Sequence, residues 1–344
     1  MSTPTAEHPA TPTRELSYDQ TVSRALVHRW ALSEVFLCDS HRTDGTHFTA
    51  AAQLPLSHGY FRDHPGGEDH HDTLLVLESC RQAVTYAAHV HQGVPRQTTF
   101  MVTSWGLDID DATALRCGER PGELHIDGHI THTQQRGGRL RRLVFAMRLT
   151  LDGAPLGTLT MDVSCTPTDQ YHQLRRMQRG TDVPTAFTLP ATPAATPVTP
   201  AHVARRNPHN VVLDGAHTHD GHLSAHLSPR TFANRSMYDH PYDHVPAMVF
   251  SEAARQCALL LRPSHTTTNA TATNATATAT AGSVPQPLHL HGTFQRFAEL
   301  DDEVHLTATP LTDPETTPTA GPDTFRMTAR QHDHTVAEIT LTLG

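Results

Sequence analysis

Two segments of the chain carry glutamate, arginine and glutamine at one spacing. Glu78, Arg81 and Gln82 lie in LLVLESCRQ, residues 74–82, and Glu252, Arg255 and Gln256 lie in MVFSEAARQ, residues 248–256. The shared pattern is E-x-x-R-Q, and the offset, 252 − 78 = 174, is about half of the 344 residues. Positions i, i+3 and i+4 occupy one face of a helix. Both clusters follow apolar runs, where a charged group is costly unless it is paired or used. A carboxylate there can act as a general base once burial raises its pKa. Arginine offers a bidentate fork for phosphate or carboxylate, and glutamine can orient a carbonyl or hydroxyl. The competing reading is structural, because each Glu–Arg pair at i, i+3 can simply neutralise itself at the interface between the repeats.

A repeat of about 174 residues predicts two similar domains packed as a pseudo-dimer. The surroundings of the two copies differ. The second is preceded by His240-Pro241 and Val245-Pro246-Ala247; the first follows HPGGEDHHD, a longer loop with His64-Pro65. Each copy has the same order of elements. In the first, HFTAAAQLPL (47–56) reads as an opening strand. A helix follows at about 73–92, capped by Asp72 or Thr73 and ended by Gly93-Val94-Pro95. Strands follow near 97–108, 121–133, 139–151 and 156–165, with alternating apolar and polar residues and a hairpin turn at Gln135-Arg136-Gly137-Gly138. The second copy repeats this with GHLSAHLSP, a helix at about 246–262, and strands near 287–298, 302–309, 323–332 and 335–343. A strand, an apolar helix and four antiparallel strands make an α+β layout, with the helix buried nearly all round.

The boundaries follow composition. Residues 1–20 are Thr/Pro-rich and read as a disordered tail. The first domain spans 27–165, a linker spans 166–210, and the second domain spans 211–344. The linker contains DQYHQLRRMQRG, a candidate short helix, and the extended stretch TLPATPAATPVTPA (188–201). Low-complexity Thr/Ala sequence at 265–283 interrupts the second domain and cannot form a core. Its sequons at Asn269 and Asn274 are incidental without a secretory signal.

The net charge of −9 gives no nucleic-acid footprint. The chain has no lysine, which excludes Schiff-base chemistry and a P-loop lysine. Five scattered cysteines form no C-x-x-C pair and read as reduced, packed thiols. No signal peptide and no spanning apolar run is evident, so a soluble cytoplasmic protein without membrane association is expected. Histidine pairs occur at His70/His71, His217/His219, His289/His291 and His332/His334. No compact third and fourth ligand follows them, so no metal is expected, and no cofactor is called for.

A sheet curled around one central helix is the hotdog fold, so the layout predicts a tandem double hotdog, each repeat a curved antiparallel sheet wrapped around a central helix. DHPYDHVPAMVFSEAARQ (239–256) resembles the active-site region of hotdog dehydratases, with His240-Pro241 as the loop, Val245-Pro246-Ala247 as the helix start and Glu252 as the acid. The spacing is shorter, and Ala247 stands where those enzymes have glycine. Over about 27–343 the chain is more similar to the A-factor synthase (AfsA-like) family of γ-butyrolactone biosynthesis proteins. The resemblance rests on VHRWALSEVFLCD (27–39), LLVLESCRQAVTYAAH and DHVPAMVFSEAARQ.

That resemblance implies transfer of a β-ketoacyl group from acyl carrier protein to the hydroxyl of dihydroxyacetone phosphate, as a step towards a butenolide and then a signalling lactone or furan that governs secondary metabolism and antibiotic production. On this reading Glu252 is the general base, aided by His240. Arg255 and Arg81 hold the phosphate, Gln256 and Gln82 orient substrate oxygens, and Glu78 is a relic or stabiliser. No serine or cysteine lies in a nucleophile motif, which favours direct transfer. A hotdog thioesterase or dehydratase, or a non-catalytic acyl-binding regulatory protein, are the alternatives. The internal pair already supplies the usual hotdog dimer, and a homodimer of the whole chain stays open.

Overall fold

The computed structural model describes residues 15–65, 69–192, 196–262, 284–311 and 323–344. The Thr/Ala insertion with its sequons, and residues 1–14 of the tail, lie outside the described residues. Residues 15–20 are anchored rather than loose: the Ser17 amide donates to Asp39 at 3.2 Å.

The first half contains β1 (Leu37–Arg42), β2 (His47–Leu54), helix α1 (Thr73–Tyr86), β3 (Thr98–Ile109), β4 (Gly122–Arg136), β5 (Arg139–Leu151) and β6 (Ala154–Pro167). Helix α2 (Thr168–Arg179) follows. The second half contains β7 (Leu213–His219), β8 (His222–Leu227), helix α3 (Ala247–Leu261), β9 (Pro287–Phe294), β10 (His305–Pro310), β11 (Asp323–Gln331) and β12 (His334–Leu343). The twelve strands form one sheet in the order β1-β2-β4-β5-β6-β3-β9-β12-β11-β10-β8-β7. Its halves repeat each other about a pseudo-twofold at the β3–β9 seam, where Ser104–Asp108 run antiparallel to His289–Thr293. Both copies therefore gain a strand beyond the sequence reading, β1 and β7, each laid along the outer edge.

The alternation of the strands does the work expected of it. In β4, Leu124, Ile126 and Ile130 point into the core while Glu123 and Asp127 face out. Gly137-Gly138 both take positive φ, as a two-residue type I′ hairpin between β4 and β5 requires. Helix α1 is buried all round except at Arg81 and Tyr86, and α3 is buried from Val249 to Ala258. A helix apolar on every face cannot sit on a surface, and each sheet half closes over its own helix. Asp72 caps α1, accepting from the Leu74 amide at 2.8 Å. At the equivalent position of α3 stands Pro246, which has no side-chain cap to offer.

Candidate active site

The two E-x-x-R-Q faces meet the segment that leads into the first strand of their own repeat. Gln82 shows why. Its Oε1 accepts from the Phe36 amide at 2.9 Å, and its Nε2 donates to the Glu34 carbonyl at 2.7 Å and to Glu78 at 2.8 Å. Gln256 does the same one repeat later, accepting from the Val212 amide at 3.0 Å and donating to the Asn210 carbonyl at 2.8 Å. These glutamines stitch helix to sheet and so fix the glutamate beside them. Both are fully buried, and neither lines a cavity.

The same leading segment supplies a second arginine to each cluster. Arg29 meets Glu78 through Nε at 3.1 Å and Nη2 at 2.5 Å. Arg205 meets Glu252 through Nε at 3.0 Å. The two lie at an offset of 205 − 29 = 176, within VHRWALSEVFL and VARRNPHNVVL. The residue before each, His28 and Ala204, takes positive φ (53° and 51°) and turns the arginine inward. Arg29 and Arg205 were missed in the sequence reading; aligning the halves at 176 finds them.

That alignment also pairs Asp63-His64-Pro65 with Asp239-His240-Pro241, and the structure exchanges these loops between repeats. Asp239 of the second half accepts from the Trp30 and Ala31 amides at 2.5 and 2.9 Å. Asp63 of the first accepts from the Arg206 and Asn207 amides at 3.2 and 3.0 Å. Each cluster is thus composite, with a helix from one repeat and a His-Pro loop from the other. His240 faces Glu78 and Arg81, not Glu252. His64 lies at the Glu252 cluster, with Arg255 Nη1 3.4 Å from its Nε2.

Here the two clusters part. Glu252, Arg255, Gln256 and Arg205 are each at most 1% exposed. Glu252 is held by Arg205, Arg255, Gln256 and the Tyr60 hydroxyl, the last at 3.1 Å. Arg255 spends a further donor on Asp72, at 2.9 Å, and Asp72 also holds His64 at 2.8 Å. No atom of this network reaches the cleft.

The Glu78 cluster opens on a cavity of about 980 Å³ whose wall includes His28, Arg29, Glu78, Arg81, His240 and Tyr242. Arg81 meets Glu78 at 2.8 Å through both Nε and Nη2, but its Nη1 finds only Thr85 at 3.5 Å. Arg29 Nη1 likewise finds only the Tyr242 hydroxyl, at 3.4 Å. Pro246 brings no carboxylate, so two guanidiniums face one glutamate. Both arginines line the cleft, as does the first turn of α3 at Pro246, Ala247 and Met248, and Asp239 acts on Arg29 without bonding to it. Phe100, Met161, Val163, Phe250, Phe294 and Val336 extend the cavity along the sheet seam as an apolar tunnel.

Burial was expected to raise the glutamate pKa toward that of a useful base; the structure reverses this. Burial alone would push the Glu78 carboxyl up, but Arg29 and Arg81 outweigh it and hold it at about 2. Burial likewise opposes, and Arg205 and Arg255 overcome, at Glu252, whose pKa is lowered. Both are fixed anions. The groups poised to accept a proton are histidines. Burial, with Arg29 and Arg81 adding to it against Asp239, lowers the pKa of His240, which is neutral at pH 7. Its Nδ1 lies 3.7 Å from Asp239. His28 is neutral as well, its pKa brought to about 3 by burial and then by His89, Arg81, His240 and Arg29. Its tautomer follows from its partner: His89 Nδ1 lies 2.9 Å from the Val94 carbonyl and so carries the proton there. The neutral His89 Nε2 then accepts, and His28 Nε2, 2.8 Å away, donates, leaving His28 Nδ1 as an acceptor. All five thiols have raised pKa values, with burial the leading cause in each.

A twelve-stranded sheet enclosing two helices, with composite polar clusters between the halves, defines a double hotdog protein. Comparison with known proteins narrows this. The model of the A-factor biosynthesis hotdog domain, AfsA, matches residues 10–167 and again 188–344, so the chain belongs to that family. It is 30% identical over 322 residues to a 2-oxo-3-(phosphooxy)propyl 3-oxoalkanoate synthase of Streptomyces virginiae, covering 92% of this chain and 95% of the relative. It is 30% identical over 333 residues to the Streptomyces coelicolor protein of the same name, covering 94% and 93%. Among solved structures it is similar to a putative oleoyl thioesterase from Lactobacillus plantarum, at TM-score 0.44 and 11% identity, covering 87% of this chain and 96% of that one. Among the described residues no helix is long and apolar enough to cross a membrane.

Proposed function

We propose that the chain condenses a β-ketoacyl thioester, carried by acyl carrier protein, with the hydroxyl of dihydroxyacetone phosphate, and that the Glu78 cluster is the working site. One observation carries this reading. On a cavity of about 980 Å³ with an apolar extension, Arg29 and Arg81 share the Glu78 carboxylate and make only long contacts through Nη1, at 3.4 and 3.5 Å, beside a neutral histidine. Two guanidiniums against one glutamate suit a phosphorylated acceptor. The apolar tunnel takes the acyl chain.

In the step itself the hydroxyl oxygen attacks the thioester carbonyl carbon, a C–O bond forms and the C–S bond breaks. His240 takes the hydroxyl proton and returns it to the departing sulfur, with Asp239 behind it to steady the imidazolium. Free amides at the start of α3 are placed to receive the oxyanion. Glu78 does no proton transfer; it holds the two arginines apart and aimed. Four buried thiols, a half-buried Cys117 whose pKa is also raised, and the lack of a serine motif favour direct transfer.

Incubation with β-ketoacyl thioesters and dihydroxyacetone phosphate, followed by mass spectrometry, tests this. The phosphorylated ester is expected. Free acid as the main product would make the chain a thioesterase, an enoyl thioester a dehydratase, and tight acyl binding without turnover a binding protein.

A further inference from the structure

Among the described residues, none of the histidine pairs visible in the sequence belongs to a set of three ligand atoms within 4.8 Å of one another. His289 and His291, for instance, both bind the Asp108 carboxylate, at 2.9 and 2.8 Å. A different set comes together only in the fold. His226 of β8 and His305 of β10 are directly paired across the antiparallel ladder, 305 − 226 = 79 residues apart in sequence. Their rings lie 4.5 Å apart by centroid in an edge-on arrangement. Glu303, two residues ahead of His305, reaches both: its Oε1 is 2.9 Å from His226 Nδ1 and its Oε2 is 3.3 Å from His305 Nε2.

We propose that His226, Glu303 and His305 form a site for a divalent transition ion of the zinc class. The three ligand atoms lie within 4.8 Å of one another. Ligands on a tetrahedral zinc at roughly 2.0–2.1 Å stand about 3.3 Å apart, so small rotations of the exposed His305 and Glu303 side chains close the set. His226 Nδ1 is the telling atom. It is enclosed and makes no hydrogen bond, although Glu303 Oε1 is only 2.9 Å away. Contact at that distance without hydrogen-bond geometry fits two donors aimed at a third point. Two imidazoles and one carboxylate suit zinc, cobalt, nickel or copper, and not calcium or magnesium, which take oxygen sets. Two of the ligands ride on hydrogen-bonded strands, and water completes the coordination at this partly exposed position.

An ion here fastens the segment before β10 to the sheet. That segment already joins β8 through the Leu227 amide and the Val304 carbonyl, at 3.0 Å. It also carries Glu299, which holds Arg175 through bonds of 2.6 and 2.8 Å at the cavity wall. Metal binding thus stiffens one side of the cleft without touching the Glu78 cluster.

The test uses the full chain, stripped with a chelator and titrated with Co²⁺ in a spectrophotometer and with Zn²⁺ in a calorimeter. One ion per chain is expected, with the visible bands of low-coordinate Co²⁺. His305→Ala and Glu303→Gln should each weaken binding by more than about tenfold, since even the partners behind a metal ligand contribute that much. Both positions are more than half exposed, so the apo proteins should melt as wild type does. Zn²⁺ should raise the melting temperature of wild type and not of His305→Ala. A double substitution of His289 and His291 to alanine should change neither readout. Binding that survives His305→Ala, or that vanishes with His289 and His291 instead, overturns the site, as does the absence of stoichiometric binding.

Discussion

Helices α1 and α3 present the same glutamate, arginine and glutamine, each joined by a second arginine at the same offset, yet one cluster faces a cleft and the other is sealed. The difference traces to the residue before each helix. Asp72, ahead of α1, turns into the Glu252 cluster, where it binds both Arg255 and His64. Pro246, ahead of α3, gives the Glu78 cluster nothing to bind. With Asp72 present, two arginines face two carboxylates, and the network is buried throughout. Without such a carboxylate, Nη1 of Arg29 and of Arg81 has only a long contact on the cavity wall. Duplication supplies two equal scaffolds, and one acidic side chain ties one of them into a buried ion network while the other lines the cleft.

The largest effect expected from breaking this contrast is on catalysis. His240→Phe should lower kcat by about 10²–10⁴-fold with little change in melting temperature, since His240 is partly exposed on the cleft. His64→Phe, its counterpart, should do the reverse and lower the melting temperature while the folded enzyme keeps its turnover. Product formation and calorimetry on both variants decide; equal losses of turnover per folded molecule would undo the assignment of the working site.

Next comes stability. Glu252→Gln leaves Arg205 and Arg255 buried against Asp72 alone, and breaking a buried ion pair costs about 3–5 kcal/mol. Denaturant unfolding should show that loss, with specific activity retained at low denaturant. Glu78→Gln should cost less, because Arg81 can turn toward water in the cleft, but should raise KM for the triose phosphate. A smaller change sharpens the comparison. Asp72→Ser keeps an oxygen to cap α1 and removes the charge. It should cost about 3 kcal/mol, the low end for breaking a buried ion pair, because Arg255 keeps Glu252. Phosphate should then stabilise the variant more than it stabilises wild type, because Arg255 and His64 have lost their anion.

Much of this architecture was legible in the sequence. The E-x-x-R-Q repeat, both helices, the hairpin at Gly137-Gly138 and the double hotdog all follow from local pattern. Which cluster lines the cavity did not. Asp72 reads as a helix cap, which it is, and nothing local says that the capping oxygen also accepts from an arginine 183 residues away. The exchange of His64 and His240 between repeats is a tertiary fact. The expectation of a raised glutamate pKa failed because Arg29 and Arg205 lie in segments with no helical or strand period to mark them. They were visible only by aligning the halves at 176 rather than 174, the two-residue shift being absorbed in the loops before the helices.

The smallest prediction separates the halves by pH. His28, on the open side, is half-buried on the cavity wall near Arg29 and Arg81, while Ala204 stands in its place on the sealed side. Its folded pKa is about 3 against an ordinary 6.5, from burial and the neighbouring cations. The unfolded chain therefore binds the proton more readily. His28's contribution to stability is complete above pH 6.5 and declines as pH falls from about 6.5 to about 3, with a slope of at most ~1.4 kcal/mol per pH unit. His28→Asn should flatten this slope. Asparagine tolerates the positive φ at this position, and its side-chain oxygen keeps an acceptor near the place of Nδ1. His64 is lowered in the same direction by burial, Arg205 and Arg255, and His71, His89, His91 and His240 are lowered chiefly by burial, so the variant retains the part of the slope that belongs to them. Unfolding in denaturant at pH 7.5, 5.5 and 4.5 (test conditions of roughly that spacing, chosen to bracket the ordinary histidine range) measures the difference. If wild type and His28→Asn lose stability in parallel over that range, His28 is not held neutral beside the cleft, and its place as a fixed acceptor on the working side goes with it.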